Sequence, residues 1–142
     1  MIQWFVVHHT GAGPARPTVA DVAAYQVSAG AHLPFPSFAY IMYVEEDGRL
    51  EVVWDLTTVC WSNGDGSPSV IQGVGIYNWK TVACCFSGEN PTPEQVATIH
   101  RAHAELEAVL DRPIPVFGHR QITGAADSSC PGDLMIAELG QV

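Results

Sequence analysis

The pattern of apolar positions predicts four strands in the first ninety residues. The run from Ile2 to His9 is almost entirely apolar and does not alternate, which is typical of a central strand buried on both faces. Thr81 to Phe86 predicts a second buried strand. Phe38 to Val44 and Arg49 to Asp55 flank Glu45-Glu46-Asp47-Gly48, where Asp-Gly favours a tight turn, so they predict a β-hairpin.

Capping residues mark two helix starts. Thr18-Val19-Ala20-Asp21 resembles a capping box and opens a helix predicted to reach about Ala29. Thr92-Pro93-Glu94-Gln95 has Thr as N-cap, Pro at the first helical position and Gln two residues further on. This second helix is predicted to end near Leu110 and has one apolar face.

The remaining pattern completes a single α/β domain. Ile114 to Phe117 predicts a short strand before His119, and Pro131 to Leu139 predicts a terminal helix. Ser62 to Gly75 is a long Gly/Ser/Pro loop, and loops of this length are often functional. The order β-α-β-β-β-α-β-α indicates a mixed central β-sheet flanked by helices. No repeat or linker divides residues 1–142, so we expect one domain.

Composition narrows the classes of partner. Apolar residues make up 47% of the chain, enough for a packed core and too many for a disordered protein. The formal net charge of −9 repels nucleic acid and anionic lipid, so we expect neither as a partner. The apolar runs are too short for membrane insertion. We expect the domain to act as a monomer.

The N-terminus and the cysteines bear on the compartment. The first five residues lack the basic segment of a signal peptide, so we expect no export signal. Adjacent Cys84 and Cys85 should point to opposite faces of a buried strand as small core residues. The cysteine spacing is not that of a disulfide framework, and free thiols fit synthesis in a reducing cytosol. A disulfide at Cys60 stays open as an alternative.

Two separated segments carry residues that can bind a metal. His8 and His9 end the first predicted strand, His119 follows the last, and Cys130 lies in a Ser-Ser-Cys-Pro-Gly-Asp run. Two imidazoles and one thiolate are good ligands for tetrahedral Zn²⁺, and three protein ligands leave a position for water, as in catalytic sites. Neighbours on a strand face opposite ways, so only one of His8 and His9 can easily face such a site. The spacing alone leaves open that these residues are unrelated.

Three runs carry a resemblance to a known family. VVHHTG, AYIMYVEEDGRL and GHRQITGAADSSCPGD resemble, in this order, the zinc-dependent N-acetylmuramoyl-L-alanine amidases, which include phage endolysins and the peptidoglycan recognition proteins. The resemblance extends from about Ile2 to about Met135. It implies the mixed α/β fold of that family and one Zn²⁺ per chain. It also implies hydrolysis of the amide between N-acetylmuramic acid and L-Ala of the stem peptide in bacterial peptidoglycan.

The resemblance also implies roles for individual residues. His8, His119 and Cys130 match the zinc ligands. Because the gap after His119 is long, Asp127 is a rival third ligand, since carboxylates also bind zinc. Tyr40 matches the catalytic tyrosine, whose phenol can orient water or donate to a developing oxyanion.

Further matches are weaker. Ser128 stands where relatives carry a Lys or Thr that helps polarise the substrate carbonyl, and a Ser brings a hydrogen bond without the charge. A plain loop or turn role is the alternative for this residue and for four candidate substrate contacts. Those four are His32, Ser62, Asn63 and Asn78, with Ser62 in a position that is His in many relatives.

Three other residues are predicted to take no part in the chemistry. Tyr43 lies three residues after Tyr40 and should therefore face the opposite side of the strand. His100 and His103 lie three residues apart on the second helix, and no third ligand is apparent beside them. We interpret both as structural.

Taken with the expected lack of an export signal, the resemblance predicts a phage or prophage endolysin, made in the host cytoplasm and reaching the cell wall after holin-type release or secreted by another route. Two alternatives stay open: a non-catalytic peptidoglycan-binding module, and an amidase that recycles soluble muropeptides. In the family, the binding modules generally lack the cysteine ligand, and the recycling enzymes usually have an acidic residue in place of the catalytic tyrosine. Cys130 and Tyr40 therefore favour the endolysin.

Overall fold

The computed structural model describes residues 1–11, 15–28, 37–62, 70–71, 74–122 and 129–140. The order of elements contains the predicted ones and adds a small hairpin and two short helices. In chain order, the elements are β1 (Trp4–His9), α1 (Val19–Gln26), β2 (Met42–Val44), β3 (Leu50–Val52), β4 (Val70–Ile71), β5 (Val74–Gly75), α2 (Ile76–Lys80), β6 (Thr81–Phe86), α3 (Pro93–Leu110), β7 (Val116–Gly118), α4 (His119–Ile122) and α5 (Asp133–Leu139).

The main sheet has five strands in the order β3-β2-β6-β1-β7. Strand β1 pairs in parallel with β6 and β7, β2 pairs in parallel with β6, and β2 and β3 form the antiparallel hairpin. The predicted mixed α/β sheet is therefore confirmed. The central places of β6 and β1 explain their unbroken apolar runs, because both faces of these strands are covered.

Two hydrophobic clusters lie on opposite faces of this sheet. The larger cluster joins alternate sheet residues such as Phe5, Val7 and Cys84 to α3 and α5. The smaller cluster joins Tyr43 and Cys85 to α1. Cys84 and Cys85 thus point to opposite faces as predicted, and both are fully buried. Helix α1 covers one side of the sheet, while α3 and α5 cover the other.

Both predicted helix starts are confirmed. Thr18 and Thr92 are N-caps of complete capping boxes, with Asp21 and Gln95 returning to the cap backbone. Helix α1 ends at Gln26, three residues before the predicted limit. Within the described ranges, no helix combines the length and the hydropathy that crossing a lipid bilayer requires.

Strand β2 is shorter than predicted, and this changes the orientation of one tyrosine. The chain bends at Ile41, and Ile41 and Met42 both pack into the α3-side cluster. The Ile41 carbonyl accepts from two consecutive amides, Val53 at 2.9 Å and Trp54 at 3.4 Å, as in a β-bulge. The alternation is therefore interrupted between Tyr40 and Tyr43.

As a result, Tyr40 and Tyr43 pack into the same cluster on the α1 side, and the ring of Phe38 contacts both. The prediction that Tyr43 faces away from Tyr40 is wrong, because strict alternation applies only from Met42 onwards. His103 has the structural role predicted for it. Its Nε2 lies 2.6 Å from the Ile114 carbonyl oxygen, which holds α3 to the segment before β7.

Candidate metal centre

The parallel pairing of β1 and β7 brings two histidines together. Val7 is in register with Gly118, so the next residues, His8 and His119, are neighbours at the carboxyl ends of the two strands. Their ring centroids are 4.5 Å apart. Gly118 is required at this place, because a Cβ there would lie 2.6 Å from Pro131 Cδ and would also meet the side chain of Ile136.

Cys130 reaches the same point through the backbone that precedes α5. The Arg120 amide donates to the Cys130 carbonyl at 3.0 Å, and the Arg120 guanidinium pairs with Asp133 at 2.6 Å. The His9 amide donates to Cys130 Sγ at 3.4 Å. Cys130 Sγ is thereby held 3.8 Å from His8 Nδ1.

The three side chains form a compact donor cluster. The candidate donor atoms of His8, His119 and Cys130 all lie within 4.8 Å of one another. Among the described residues, this is the only group of three or more His, Cys, Asp or Glu side chains with such geometry. His8 is 1% exposed, and the other two are partly buried. The rival ligand Asp127 lies outside the described residues.

Burial sets the protonation state of these groups. Loss of solvation raises the pKa of the Cys130 thiol to about 11, although the His9 amide and the Arg120 charge act in the opposite direction. Loss of solvation, together with the nearby His9, lowers the pKa of His119. At neutral pH the His119 imidazole is therefore neutral, as a metal ligand must be, whereas the Cys130 thiol must lose a proton to coordinate.

Tyr40 lies next to this cluster. Its ring centroid is 5.2 Å from that of His8. Burial raises the pKa of the Tyr40 phenol well above its usual value, and the neighbouring Cys85 and Cys130 thiols raise it further. The phenol therefore keeps its proton and can act as a hydrogen-bond donor beside the cluster.

Cys85 is a neighbour of the site that sequence reasoning interpreted only as a core residue. The register of β1 and β6 places it directly beside His8. Its thiol is a hydrogen-bond partner of the Tyr40 phenol and interacts electrostatically with Cys130. Burial raises the pKa of the Cys85 thiol well above its usual value. Local sequence carries no signal for this position, because it depends on which strands pair.

His9 does not join the cluster. Its ring packs edge-on against Phe86, and its ring nitrogens have no hydrogen-bond partner among the described residues. The predicted exclusion of one histidine of the pair therefore agrees with the geometry. The contribution of His9 to the centre is its backbone amide.

The remaining candidates are not brought to the cluster by the described contacts. Asn78 lies in α2 and is 4% exposed. The Ser62 hydroxyl is buried and has no hydrogen-bond partner within the described ranges. His32, Asn63 and Ser128 lie outside the described residues. A substrate contact by any of these residues, or a catalytic role for Ser128, stays a prediction.

Comparison of the fold identifies several similar structures. N-acetylmuramoyl-L-alanine amidase LysC from Clostridium intestinale URNW is 17% identical with a TM-score of 0.72, and the match covers 99% of this chain and 83% of that one. The Ph2119 endolysin from Thermus scotoductus MAT2119 bacteriophage Ph2119 is 17% identical with a TM-score of 0.69, covering 98% and 84%. Bumblebee PGRP-SA is 16% identical with a TM-score of 0.69, covering 98% and 80%. These likenesses show a shared fold.

Comparison of the sequence identifies the family. No curated protein sequence matches the chain at a significant level. The family model described as N-acetylmuramoyl-L-alanine amidase matches residues 1–133, which is nearly the whole chain. The matched range contains both histidines and the cysteine of the donor cluster. The chain therefore belongs to the N-acetylmuramoyl-L-alanine amidase family.

Proposed function

We propose that this protein is a zinc-dependent peptidoglycan amidase that hydrolyses the bond between the lactyl group of N-acetylmuramic acid and L-Ala of the stem peptide. The proposal depends on one observation. The side chains of His8, His119 and Cys130 lie close together at one edge of the sheet, with Tyr40 beside them. The similarity to LysC supports the amidase activity, and the similarity to the Ph2119 endolysin supports a phage or prophage endolysin that acts on the cell wall.

The donor set fits zinc in kind, and the one donor pair whose separation is known also fits it in spacing. Zinc favours imidazole and thiolate, with bond lengths of about 2.0–2.1 Å and 2.3 Å, so tetrahedral N and S donors lie about 3.6 Å apart. The observed separation of Cys130 Sγ and His8 Nδ1 is 3.8 Å. The three residues would hold one ion. When bound, zinc supplies Lewis-acid polarisation of a carbonyl and lowers the pKa of water.

The surrounding groups of this chain prepare the site for amide hydrolysis. The His9 amide, which donates to Cys130 Sγ, favours the thiolate form of that side chain. The protonated Tyr40 phenol can donate a hydrogen bond where negative charge develops on the scissile carbonyl oxygen. The low-polarity surroundings that raise the pKa of the Tyr40 phenol also strengthen a hydrogen bond that it donates.

A second candidate function is peptidoglycan recognition without cleavage. It is supported by the likeness to the bumblebee recognition protein, whose TM-score equals that of the Ph2119 endolysin. The donor cluster and Tyr40 together favour the enzyme, because a module that only binds its ligand needs neither a three-ligand metal site nor a protonated phenol beside it.

Identification of the bond that is cut tests the proposal. Purified protein with zinc is incubated with intact sacculi and, in parallel, with soluble muropeptides. We expect new N-terminal L-Ala from sacculi without new reducing sugar ends, and no product from the His119→Ala variant. Reducing ends would indicate a glycosidase with a carboxylate pair instead. Binding to sacculi without any new terminus would indicate recognition, and cleavage confined to soluble muropeptides would indicate a recycling enzyme.

A further inference from the structure

Cys85 lies in the interior of the protein, on the face of the sheet that carries the candidate centre. In the register of β6 it pairs with His8 of β1 on one side and with Tyr43 of β2 on the other. Its side chain is fully buried in the cluster on the α1 side, and Tyr40 packs against the same cluster. A polar group at this position therefore contacts the surroundings of the centre from below.

The Cys85 thiol takes part in two hydrogen bonds with opposite roles. Its sulfur lies 3.7 Å from the Phe86 carbonyl oxygen, and a carbonyl can only accept, so the thiol proton is donated there. The same carbonyl accepts from the Thr10 amide at 3.1 Å, which helps to fix its position. Because a thiol has a single proton, its sulfur must accept in the hydrogen bond with the Tyr40 phenol. The phenol proton therefore points at Cys85.

The neighbouring cysteine provides a comparison within the same strand. Cys84 is as deeply buried as Cys85 and faces the α3 side. Burial by itself raises the pKa of the Cys84 thiol to about 12, as expected for a thiol that only fills space in the core. Burial also raises the pKa of the Cys85 thiol, but Cys130 and Tyr40 act on it as well. Packing alone therefore describes Cys84 and leaves the polar contacts of Cys85 unexplained.

Sulfur is a suitable acceptor for a phenol that has to donate elsewhere during a reaction. A neutral thiol accepts weakly, whereas a hydrogen bond to an ionised oxygen is shorter and stronger. Cys85 can therefore hold the Tyr40 hydroxyl in one orientation before the reaction and compete little for its proton once negative charge develops on the scissile carbonyl oxygen. The change needs only a rotation of the hydroxyl about its C–O bond, and no covalent bond forms or breaks.

We propose that Cys85 is a positioning residue for Tyr40: its sulfur accepts from the phenol, its own proton goes to the Phe86 carbonyl, and the phenol is thereby held beside His8. This inference rests on the proposed amidase function, in which Tyr40 donates to the developing oxyanion. Cys85 is not a member of the donor cluster, so it acts through Tyr40.

Rates of sacculus digestion at equal zinc content test the inference. Cys85→Ala should lower turnover about tenfold, because a small misplacement of a catalytic group is costly. Cys85→Ser keeps a group that accepts from the phenol and donates to the carbonyl, so it should restore most of the rate. In a Tyr40→Phe background, Cys85→Ala should have no further effect, since the phenol is already absent. Cys84→Ala removes the same sulfur from the other face of β6 and is the matched control, with wild-type turnover expected in the folded variant.

The infrared S–H stretching band gives a readout that does not depend on activity. In the zinc-loaded protein the ionised Cys130 contributes no such band, and Cys85→Ser identifies the Cys85 band by its loss. Tyr40→Phe should shift this band, because a sulfur that accepts one hydrogen bond donates the other more strongly. Tyr43→Phe should leave the band in place, since the Tyr43 hydroxyl donates to the Pro17 carbonyl.

Several results would overturn the inference. One is equal turnover of wild type and Cys85→Ala, and another is a Cys85 band that Tyr40→Phe leaves unshifted or that Tyr43→Phe shifts as much. An equal loss from Cys85→Ala with and without the phenol would show a purely structural effect. The band is measured without Cys85→Ala, so it decides even where that variant does not fold.

Failure of the amidase proposal is seen separately. If the wild type releases no N-terminal L-Ala from sacculi, the proposed function is wrong, while the S–H band still shows whether Cys85 holds the phenol. Normal cleavage by Cys85→Ala would leave the amidase proposal standing and remove the role of Cys85.

Discussion

Burial decides the chemistry of single residues at the candidate centre. In water, the phenol of a tyrosine and the thiol of a cysteine ionise only at alkaline pH. The low-polarity surroundings of Tyr40 and Cys130 raise the pKa of both groups further. The same surroundings make His119 harder to protonate. A phenol donor and a neutral imidazole are thus available at neutral pH, while the thiol requires a metal to ionise.

The pKa of Cys130 leads to a prediction about protons. With a thiol pKa of about 11, zinc binding at pH 7 should release about one proton per chain. The apparent zinc affinity should rise roughly tenfold per pH unit below that pKa, because the thiolate fraction rises in this way. Calorimetric titration in buffers of different ionisation enthalpy measures the release. The Cys130→Ala variant should release no such proton, and an unchanged release in that variant would exclude Cys130 as a ligand.

Tyr40→Phe should separate chemistry from binding. Removal of one hydroxyl hardly changes packing, so the fold and the zinc content should be retained. Loss of one donor to the developing oxyanion should lower turnover on the order of 10²-fold. The measurements are the zinc content by mass spectrometry and the initial rate of sacculus digestion. An unchanged rate would remove Tyr40 from the mechanism.

Tyr43→Phe is the matched control, and it is expected to lower the stability of the fold. The Tyr43 hydroxyl donates to the Pro17 carbonyl, so its removal should cost roughly 1 kcal/mol of the free energy of unfolding. Turnover at a temperature where the variant is folded should stay near the wild-type value. A large loss of turnover in Tyr43→Phe alone would show that Tyr43, and not Tyr40, is the phenol that acts in catalysis.

At the scale of elements, the carboxyl ends of β1 and β7 and the start of α1 position the site. Strands β1 and β7 are parallel, so His8 and His119 emerge at the same edge. Helix α1, which covers the site face, is held through its capping box and through Glu45. Helix α3 packs on the opposite face, where it contributes stability without touching the candidate centre.

This division predicts the effect of the α3 cap. The Thr92 hydroxyl accepts from the Gln95 amide and donates to the Glu46 carbonyl. Thr92→Ala should therefore lower the free energy of unfolding by about 1 kcal/mol, and Thr92→Ser, which keeps the hydroxyl, should lower it much less. Urea denaturation measures both. Sacculus digestion should be unchanged in the folded variants, and a large loss of activity in Thr92→Ala would show that α3 is coupled to the site.

At the scale of the whole molecule, the centre joins segments that are distant in sequence. His8 lies in β1, whereas His119 and Cys130 lie more than a hundred residues later. A metal that binds only the folded arrangement stabilises it by mass action, by about 2.7 kcal/mol when free zinc is a hundredfold above its Kd. Zinc binding at the centre should therefore hold the first strand to the C-terminal segment and stabilise the fold.

Thermal unfolding with and without zinc tests this expectation. Zinc should raise the Tm of the wild type by several degrees, and a chelator should reverse the change. His119→Ala should show almost no zinc-dependent change in Tm, while His100→Gln on α3 should behave as the wild type does. An equal zinc-dependent rise in Tm for His119→Ala would place the metal elsewhere.

Much of the architecture follows from the sequence alone, because it depends on local chemistry. Unbroken apolar runs identify β1 and β6 as central strands, and the capping residues locate the starts of α1 and α3, since a cap is formed by neighbours in the chain. The family motifs likewise named His8, His119, Cys130 and Tyr40 as residue types suited to a zinc amidase. These signals need no knowledge of which strands pair.

Other features were decided only by the tertiary structure. Whether the three donors meet depends on the parallel register of β1 and β7 and on the turn that carries Cys130, and neither is encoded near those residues. The bend at Ile41 places Tyr40 and Tyr43 on one face, against the alternation that a regular strand would follow. The place of Cys85 beside His8 likewise arises from strand pairing. Local propensity determines elements, whereas long-range pairing determines which side chains share a site.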